Sequence, residues 1–309
     1  MKKNICIILP GILLIILLLF PDEALSGSAD GLLLWFHTVL PTLLPFLILT
    51  NLIIRLDAVV PLVRLVSPVF RILFSLSPYG SYALLTGLIC GYPMGAKITA
   101  DLLRSKQLSE KEASFLLGIC NNVSPMFLLG YVITQSLQCP QHKYALLLFV
   151  YGTPLMYAFF TKPSRQNAQN HSLKAQKASV PFTFQIVDDS IMNGFETVTR
   201  IGGYIILFAI ISKMATARLH AVTILKHSII GFIEITNGIH SIGTSSVPVR
   251  WQLPLATAVI TFGGLSGLAQ TKSMIQQTSL SIRHYIITRI KLTVFATLAA
   301  LVYCLLFIA

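Results

Sequence analysis

Apolar residues in this chain come in long blocks separated by short polar or basic stretches. That is the pattern of helices crossing a bilayer, where a span needs about 20 apolar residues. The first block, 5–20, follows Lys2-Lys3 and precedes Pro21-Asp22-Glu23. It has the shape of a signal-peptide core, with small residues at 26–29. It is long for that role, however, and predicts an uncleaved first helix, short or tilted. A second span covers 32–54 and contains Pro41 and Pro45. In 59–76, basic residues among Val, Leu and Phe, with Pro61 and Pro68, predict an amphipathic segment at the cytoplasmic interface.

Further along, the apolar blocks are interrupted in their middles. The segment 81–100 is broken by Gly91, Pro93 and Gly95, and 113–136 by Asn121-Asn122-Val123-Ser124-Pro125. A cleaner span covers 144–160. The stretch 161–179 is polar and basic without an acid, which predicts a cytoplasmic linker. Beyond it, 191–213 is a span containing Glu196 and Arg200. The block 224–247 breaks around Glu234, Asn237 and Gly238, and 253–269 breaks at Gly263-Gly264-Leu265-Ser266-Gly267. A basic loop with Lys272, Arg283, Arg289 and Lys291 then leads to a last span.

The interruptions recur in order. Thr38-Val39 corresponds to Thr197-Val198, Gly87-Leu88-Ile89 to Gly231-Phe232-Ile233, and Asn121-Asn122-Val123-Ser124 to Gly263-Gly264-Leu265-Ser266. The halves therefore read as a repeat. Basic loops placed inside give the halves opposite orientations, with 81–100 and 224–247 re-entrant; Lys213, Arg218 and Lys226 then fall outside, against the positive-inside rule. The expected fold is an all-α polytopic membrane protein, an inverted repeat with about seven spanning helices plus two re-entrant or broken segments. Its organisation is a first helix and short outer loop over 1–30, a first membrane half over 31–160, a linker over 161–185, and a second half with a C-terminal helix over 186–309.

Composition supports this. Of 309 residues, 54% are apolar and 11% charged, against roughly 25% charged in soluble proteins. Mean hydropathy is +0.75. These values exclude a soluble enzyme, a disulfide-stapled module and a disordered scaffold. The net charge of +12 is dispersed, as in cytoplasmic loops, and gives no nucleic-acid footprint. Cys6, Cys90, Cys120, Cys139 and Cys304 are scattered, without zinc or disulfide spacing. No His-Glu-x-x-His, Gly-x-Ser-x-Gly, Walker or dinucleotide motif occurs, and His220, His227 and His240 have no partnered acid or cysteine. No catalytic residue, metal site or cofactor is expected.

Candidate chemistry lies at the breaks. Backbone at membrane depth must be packed in protein or line a wet cavity, and matched breaks in inverted halves point to a transporter's central site. Free N–H groups at half-helix N-termini near Gly91, Pro93, Gly95, Gly238, Gly263 and Gly264 would hold an anionic group. Side chains of Asn121, Asn122, Ser124, Asn237, Ser266 and Gln270 would assist. The same glycines and prolines also serve helix packing and kinks. Glu234 is the candidate for charge tuning or ion coupling. Lys97 either faces an anion or snorkels to the interface, and Glu196–Arg200 reads as an i,i+4 salt bridge.

Leu40-Pro41…Leu44-Pro45-Phe46, 91–97 (Gly-Tyr-Pro-Met-Gly-Ala-Lys), 121–127 (Asn-Asn-Val-Ser-Pro-Met-Phe), Ile201-Gly202-Gly203-Tyr204 and 234–238 (Glu-Ile-Thr-Asn-Gly) together resemble the YlbJ-type sporulation integral membrane proteins. These belong to the nucleoside-recognition (Gate) domain group, similar to concentrative nucleoside transporters. The resemblance covers about 31–272. It implies a role in endospore formation, in the mother-cell-derived membrane around the forespore, and movement of dipicolinate, a small aromatic dicarboxylate. Tyr92, Phe127 or Tyr204 would stack on such a ring. Expected partners are a small anionic or nucleoside-like substrate, the lipid bilayer, a coupling ion and a second copy of the chain. A nucleoside-type carrier and a non-transporting sporulation scaffold are the alternatives.

Overall fold

The computed structural model describes residues 11, 14–56, 58, 63, 66–162, 182–217 and 223–308. Most of the expected first helix, part of the 59–76 segment, nearly all of the 161–179 linker and Arg218 lie outside the described residues. Those described are helical and contain no strand.

Helix α1 (Pro21–Leu34) runs through a wide π-helical turn, Trp35–Val39, into α2 (Leu40–Arg55). The sequence reading placed a loop at 21–30. Pro21 at the first helical position and Asp22 and Glu23 in the first turn instead suit a helix start, where the dipole favours negative charge. Short α3 (Ser67–Phe74) meets α4 (Pro78–Cys90) at 97°, too sharp for a straight span. Then follow α5 (Met94–Arg104), α6 (Glu110–Ile119), the π-helical α7 (Phe127–Ser136) and α8 (Pro140–Thr161). The second half contains α9 (Phe184–Ala217), α10 (Thr223–Ile233), α11 (Ile235–Gly243), α12 (Val249–Phe262), α13 (Gly264–Met274) and α14 (Ile282–Phe307).

Among the described residues, four helices are individually long and apolar enough to cross a membrane: Pro140–Thr161, Phe184–Ala217, Val249–Met274 and Ile282–Phe307. Counting each of two bent pairs as a span gives six. The expected count of about seven included the first helix and the broken 113–136 block. Here that block is two short helices with a non-helical stretch between them.

Element order recurs between the halves. A long helix, a pair split at residues 91–93 or 234, a helix broken at 120–124 or 263, and a final long helix appear in each. The long helices pack side by side. Gly27 lies against Ile210 and Gly31 against Ile206; Trp35 donates to the Val198 carbonyl at 2.9 Å. Gly194 touches Ile48, and Arg55 pairs with Asp189 at 2.9 Å. One residue number rises as the other falls, so α1–α2 and α9 run antiparallel, as counterparts in an inverted repeat must. An added Cβ at Gly27 or Gly31 would come within 2.8 Å of α9 backbone, the small-residue contact typical of membrane helices.

The pair Lys213–Asp30, at 2.9 Å, closes the other end of this packing. It accounts for a lysine on the side where the charge rule disfavoured one: an acid from the first half meets it. Both side chains are about half exposed, so the pair adds at most about 1 kcal/mol. Single cysteines at 30 and 213 are expected to react with a membrane-impermeant maleimide from the same side, and cysteines at 55 and 189 from the other.

Large apolar side chains remain on the outer faces. On α14, Ile287, Ile290, Val294, Phe295, Leu298 and Val302 are exposed. Tyr285, Arg289, Leu292, Ala296, Ala300 and Cys304 form the buried stripe at helical spacing. Such a surface belongs in lipid.

Candidate functional site

The helix caps place the breaks. Ser77 caps α4 by accepting from Gly80 N at 3.0 Å. At the far end of α4, Gly91 adopts φ +78°, where a Cβ would collide with the Ser124 amide nitrogen. Glycine is required there on both counts. Gly91→Ala is expected to cost more than the ~1–3 kcal/mol of a strained backbone alone, read as a lowered Tm of the detergent-purified protein. Gly263, at φ +89°, ends α12, and Gly264, at φ +66°, packs against the Gly231 and Ile233 carbonyls.

All four breaks meet. Tyr92 N donates to the Asn122 carbonyl, so the first break is stitched to the second. The Asn121 amide is a hub: its Oδ1 accepts from Ala96 N at 3.3 Å, and its Nδ2 donates to Thr271 Oγ1 and Tyr285 OH, each at 2.9 Å. Asn122 Nδ2 donates to the Ile119 carbonyl at 2.7 Å, while its Oδ1 accepts from Arg289 Nη1 at 2.8 Å. Tyr131 OH donates to the Thr236 carbonyl at 3.2 Å, joining the second and third breaks. A Cβ on Gly267 would touch the Tyr92 ring at 3.4 Å, joining the first and fourth.

Between them lies a cavity of about 250 Å³. Tyr92 comes from the first break, Ser124 from the second, Glu234 and Thr236 from the third, and Gln270 from the helix after the fourth. Phe127 and Tyr131, with ring centroids 5.2 Å apart, form an aromatic wall. His37, Ile201 and Ile205 close the side toward α1 and α9.

Of the residues singled out from sequence, Ser124 and Glu234 line this cavity, with Tyr92, Phe127 and Gln270. Tyr204 is not on its wall. Gly91, Pro93, Gly95, Gly238, Gly263 and Gly264 shape the breaks without forming the wall, and Asn121, Asn122, Asn237 and Ser266 stand behind it. The half-helix N-termini are not open cradles either. Ala96 N is taken by Asn121, Phe127 N by Ser124 Oγ at 3.2 Å, and Asn237 N by Glu234 Oε2 at 2.8 Å. One donor at each of these three starts is thus satisfied internally, as backbone away from water requires. The start of α13, at Gly264, has no side-chain cap.

Lys97 points elsewhere. Its Nζ pairs with Asp101 at 2.9 Å on the wall of a second, polar cavity of about 420 Å³ shared with Glu196 and Arg200. The expected Glu196–Arg200 bridge is present there at 2.7 Å.

Arg289 is the main correction. Read as part of a basic loop, it is instead buried in α14, 1% exposed, and bonded to Asn122. Arg283 and Lys291, its neighbours in that loop reading, are exposed. Two signals were legible. Ser281 starts the helix by accepting from His284 N, and Arg289 follows Tyr285 and precedes Leu292 at helical spacing.

No family model matches the chain, and no solved structure matches it. The chain is similar to the sporulation integral membrane protein YlbJ of Bacillus subtilis (strain 168), with 24% identity covering 89% of this chain and 76% of that protein. With the helical architecture and the apolar outer faces, this similarity supports the motif-based resemblance: the chain is an all-helical integral membrane protein similar to the sporulation protein YlbJ.

Proposed function

We infer that the protein is a secondary transporter or facilitator that holds a small metabolite in the central cavity during its passage across the membrane. One observation carries this reading: residues from three of the breaks and from the helix after the fourth, drawn from both halves, line one cavity of about 250 Å³. Matched breaks around a central site are the arrangement of alternating-access carriers. The volume falls just below the ~300–1,000 Å³ of drug-sized ligand sites, which favours a compact substrate. Tyr92, Phe127 and Tyr131 offer faces for a flat ring.

The name of the YlbJ relative describes a sporulation protein. Carried to this chain, it gives a role in spore formation, and the family resemblance makes dipicolinate the substrate. Glu234 is the coupling group in this reading. A dianion beside an ionised, buried carboxylate is repelled, so the anion enters with a proton on Glu234. A nucleoside-type substrate is the second reading. It is favoured by a wall whose described residues include Glu234, Gln270 and several hydroxyls but no Lys or Arg.

Ligand-dependent thermal stabilisation of the purified protein separates the readings, with dipicolinate, uridine and phthalate compared. A specific ligand at a hundred times its Kd stabilises by about 2.7 kcal/mol. A shift with dipicolinate alone is the expected result. A shift with uridine selects the nucleoside carrier. No shift with any of the three removes the carrier reading in favour of the membrane scaffold.

A further inference from the structure

The interior holds a charge that the cavity wall does not use. Arg289 is 1% exposed. Among the described residues it forms no ion pair, and its Nε has no hydrogen-bond partner. Its anchored contacts are Asn122 Oδ1, at 2.8 Å from Nη1, and the Tyr285 ring, 5.9 Å from the guanidinium carbon to the ring centre. An arginine stays charged at any pH a cell meets, so burial cannot neutralise it. Burying such a charge without a carboxylate costs several kcal/mol, and a strut to Asn122 alone could be made by a neutral amide.

Its position suggests what the charge does. Asn122, which holds Arg289, also accepts the backbone N–H of Tyr92, and Tyr92 lines the cavity. The guanidinium is thus linked to the wall through Asn122 and the Tyr92 backbone, and Glu234 stands on that same wall. In a low-dielectric interior a buried charge acts beyond the groups it touches.

We propose that Arg289 is the specificity-determining residue of the central site, supplying from behind Tyr92 the positive potential that makes the cavity accept an anionic rather than a neutral substrate. This rests on the carrier reading above and supplies a permanent cation, where the wall's described residues include a histidine, His37, but no Lys or Arg. With Glu234 ionised, the two buried charges cancel at the cavity. With Glu234 protonated, the site is left net positive and ready for a carboxylate. Arg289 touches no substrate and acts through the field it sets up.

The test measures a ratio. Affinities of the purified full-length protein for dipicolinate and for the uncharged pyridine-2,6-dicarboxamide are compared by thermal stabilisation in wild type, Arg289→Gln, Arg289→Lys and Asn122→Asp. Wild type is expected to prefer the dianion, Arg289→Gln to reduce that preference at least about tenfold, and Arg289→Lys to retain most of it. Asn122→Asp keeps a partner for Arg289 but neutralises it, giving up the bond to the Ile119 carbonyl. It is expected to match Arg289→Gln, and it decides the question if Arg289→Gln does not fold. An unchanged preference in Asn122→Asp, or in a folded Arg289→Gln, overturns the inference while leaving the carrier reading intact. So does an Arg289→Lys as damaged as the glutamine variant. Failure of the wild type to bind either compound overturns both.

Discussion

Asn121→Ala is expected to destabilise the protein by about 3 kcal/mol or more, because it leaves three partners unmatched in the interior. Ala96 N, Thr271 Oγ1 and Tyr285 OH each lose their bond to the Asn121 amide. An unsatisfied buried polar group costs about 1–3 kcal/mol, and the residue itself is 0% exposed, so little water reaches the site to compensate. Unfolding of the detergent-purified variant and its abundance in the membrane should fall together. Sequence alone favoured Asn121 as a substrate ligand; the structure makes it the clamp that binds the first, second and fourth breaks. A normally abundant and stable Asn121→Ala protein would contradict that role.

Glu234→Gln acts differently. Glu234 starts α11, its Oε2 accepting from Asn237 N at 2.8 Å, and a glutamine oxygen can accept the same bond. The fold is therefore expected to persist with stability changed by no more than about 1 kcal/mol. What changes is the charge facing the cavity, where Glu234 is 3% exposed. If loading of the anion requires a proton on Glu234, wild-type binding strengthens as pH falls. The glutamine variant should bind at neutral pH as wild type does in acid, with pH dependence flattened by at least about tenfold. Binding measured across pH in the two proteins checks this. Parallel pH profiles would remove Glu234 from coupling.

Much of this architecture was legible in the sequence. Gly91, the 121–125 cluster, Glu234 and Gly263 stand out because polar or helix-breaking residues inside apolar blocks have few structural solutions. Two of the three aligned stretches fall on like elements: 87–89 and 231–233 are the last turns of α4 and α10, and 121–124 and Gly263 interrupt the helices after α6 and α12, whereas Thr38-Val39 lies in a π-helical turn and Thr197-Val198 inside α9. What sequence could not give was direction. Asn121 and Ser124 sit three residues apart on one non-helical stretch, yet one faces the protein and the other the cavity. Lys97, just past a break, turns to Asp101 because its helix carries an acid one turn on. Arg289 was missed because charge was read by proximity to other basic residues, whereas helical period places it on the buried face of α14. The Tyr131 and His37 contributions depend on tertiary packing and left no local signal.

In the proposed carrier, substrate occupies the cavity lined by three of the breaks and by the helix after the fourth. Gly130 gives direct access to it: it lines the cavity, and a Cβ there would meet nothing within 4 Å, so a large side chain can enter without displacing backbone. Flux of radiolabelled dipicolinate should therefore be compared in proteoliposomes carrying wild type or Gly130→Trp, each verified as folded. Flux well above empty vesicles for wild type, and none for the filled cavity, is the predicted result. No flux in wild type at any pH, or equal flux in both, would contradict the account.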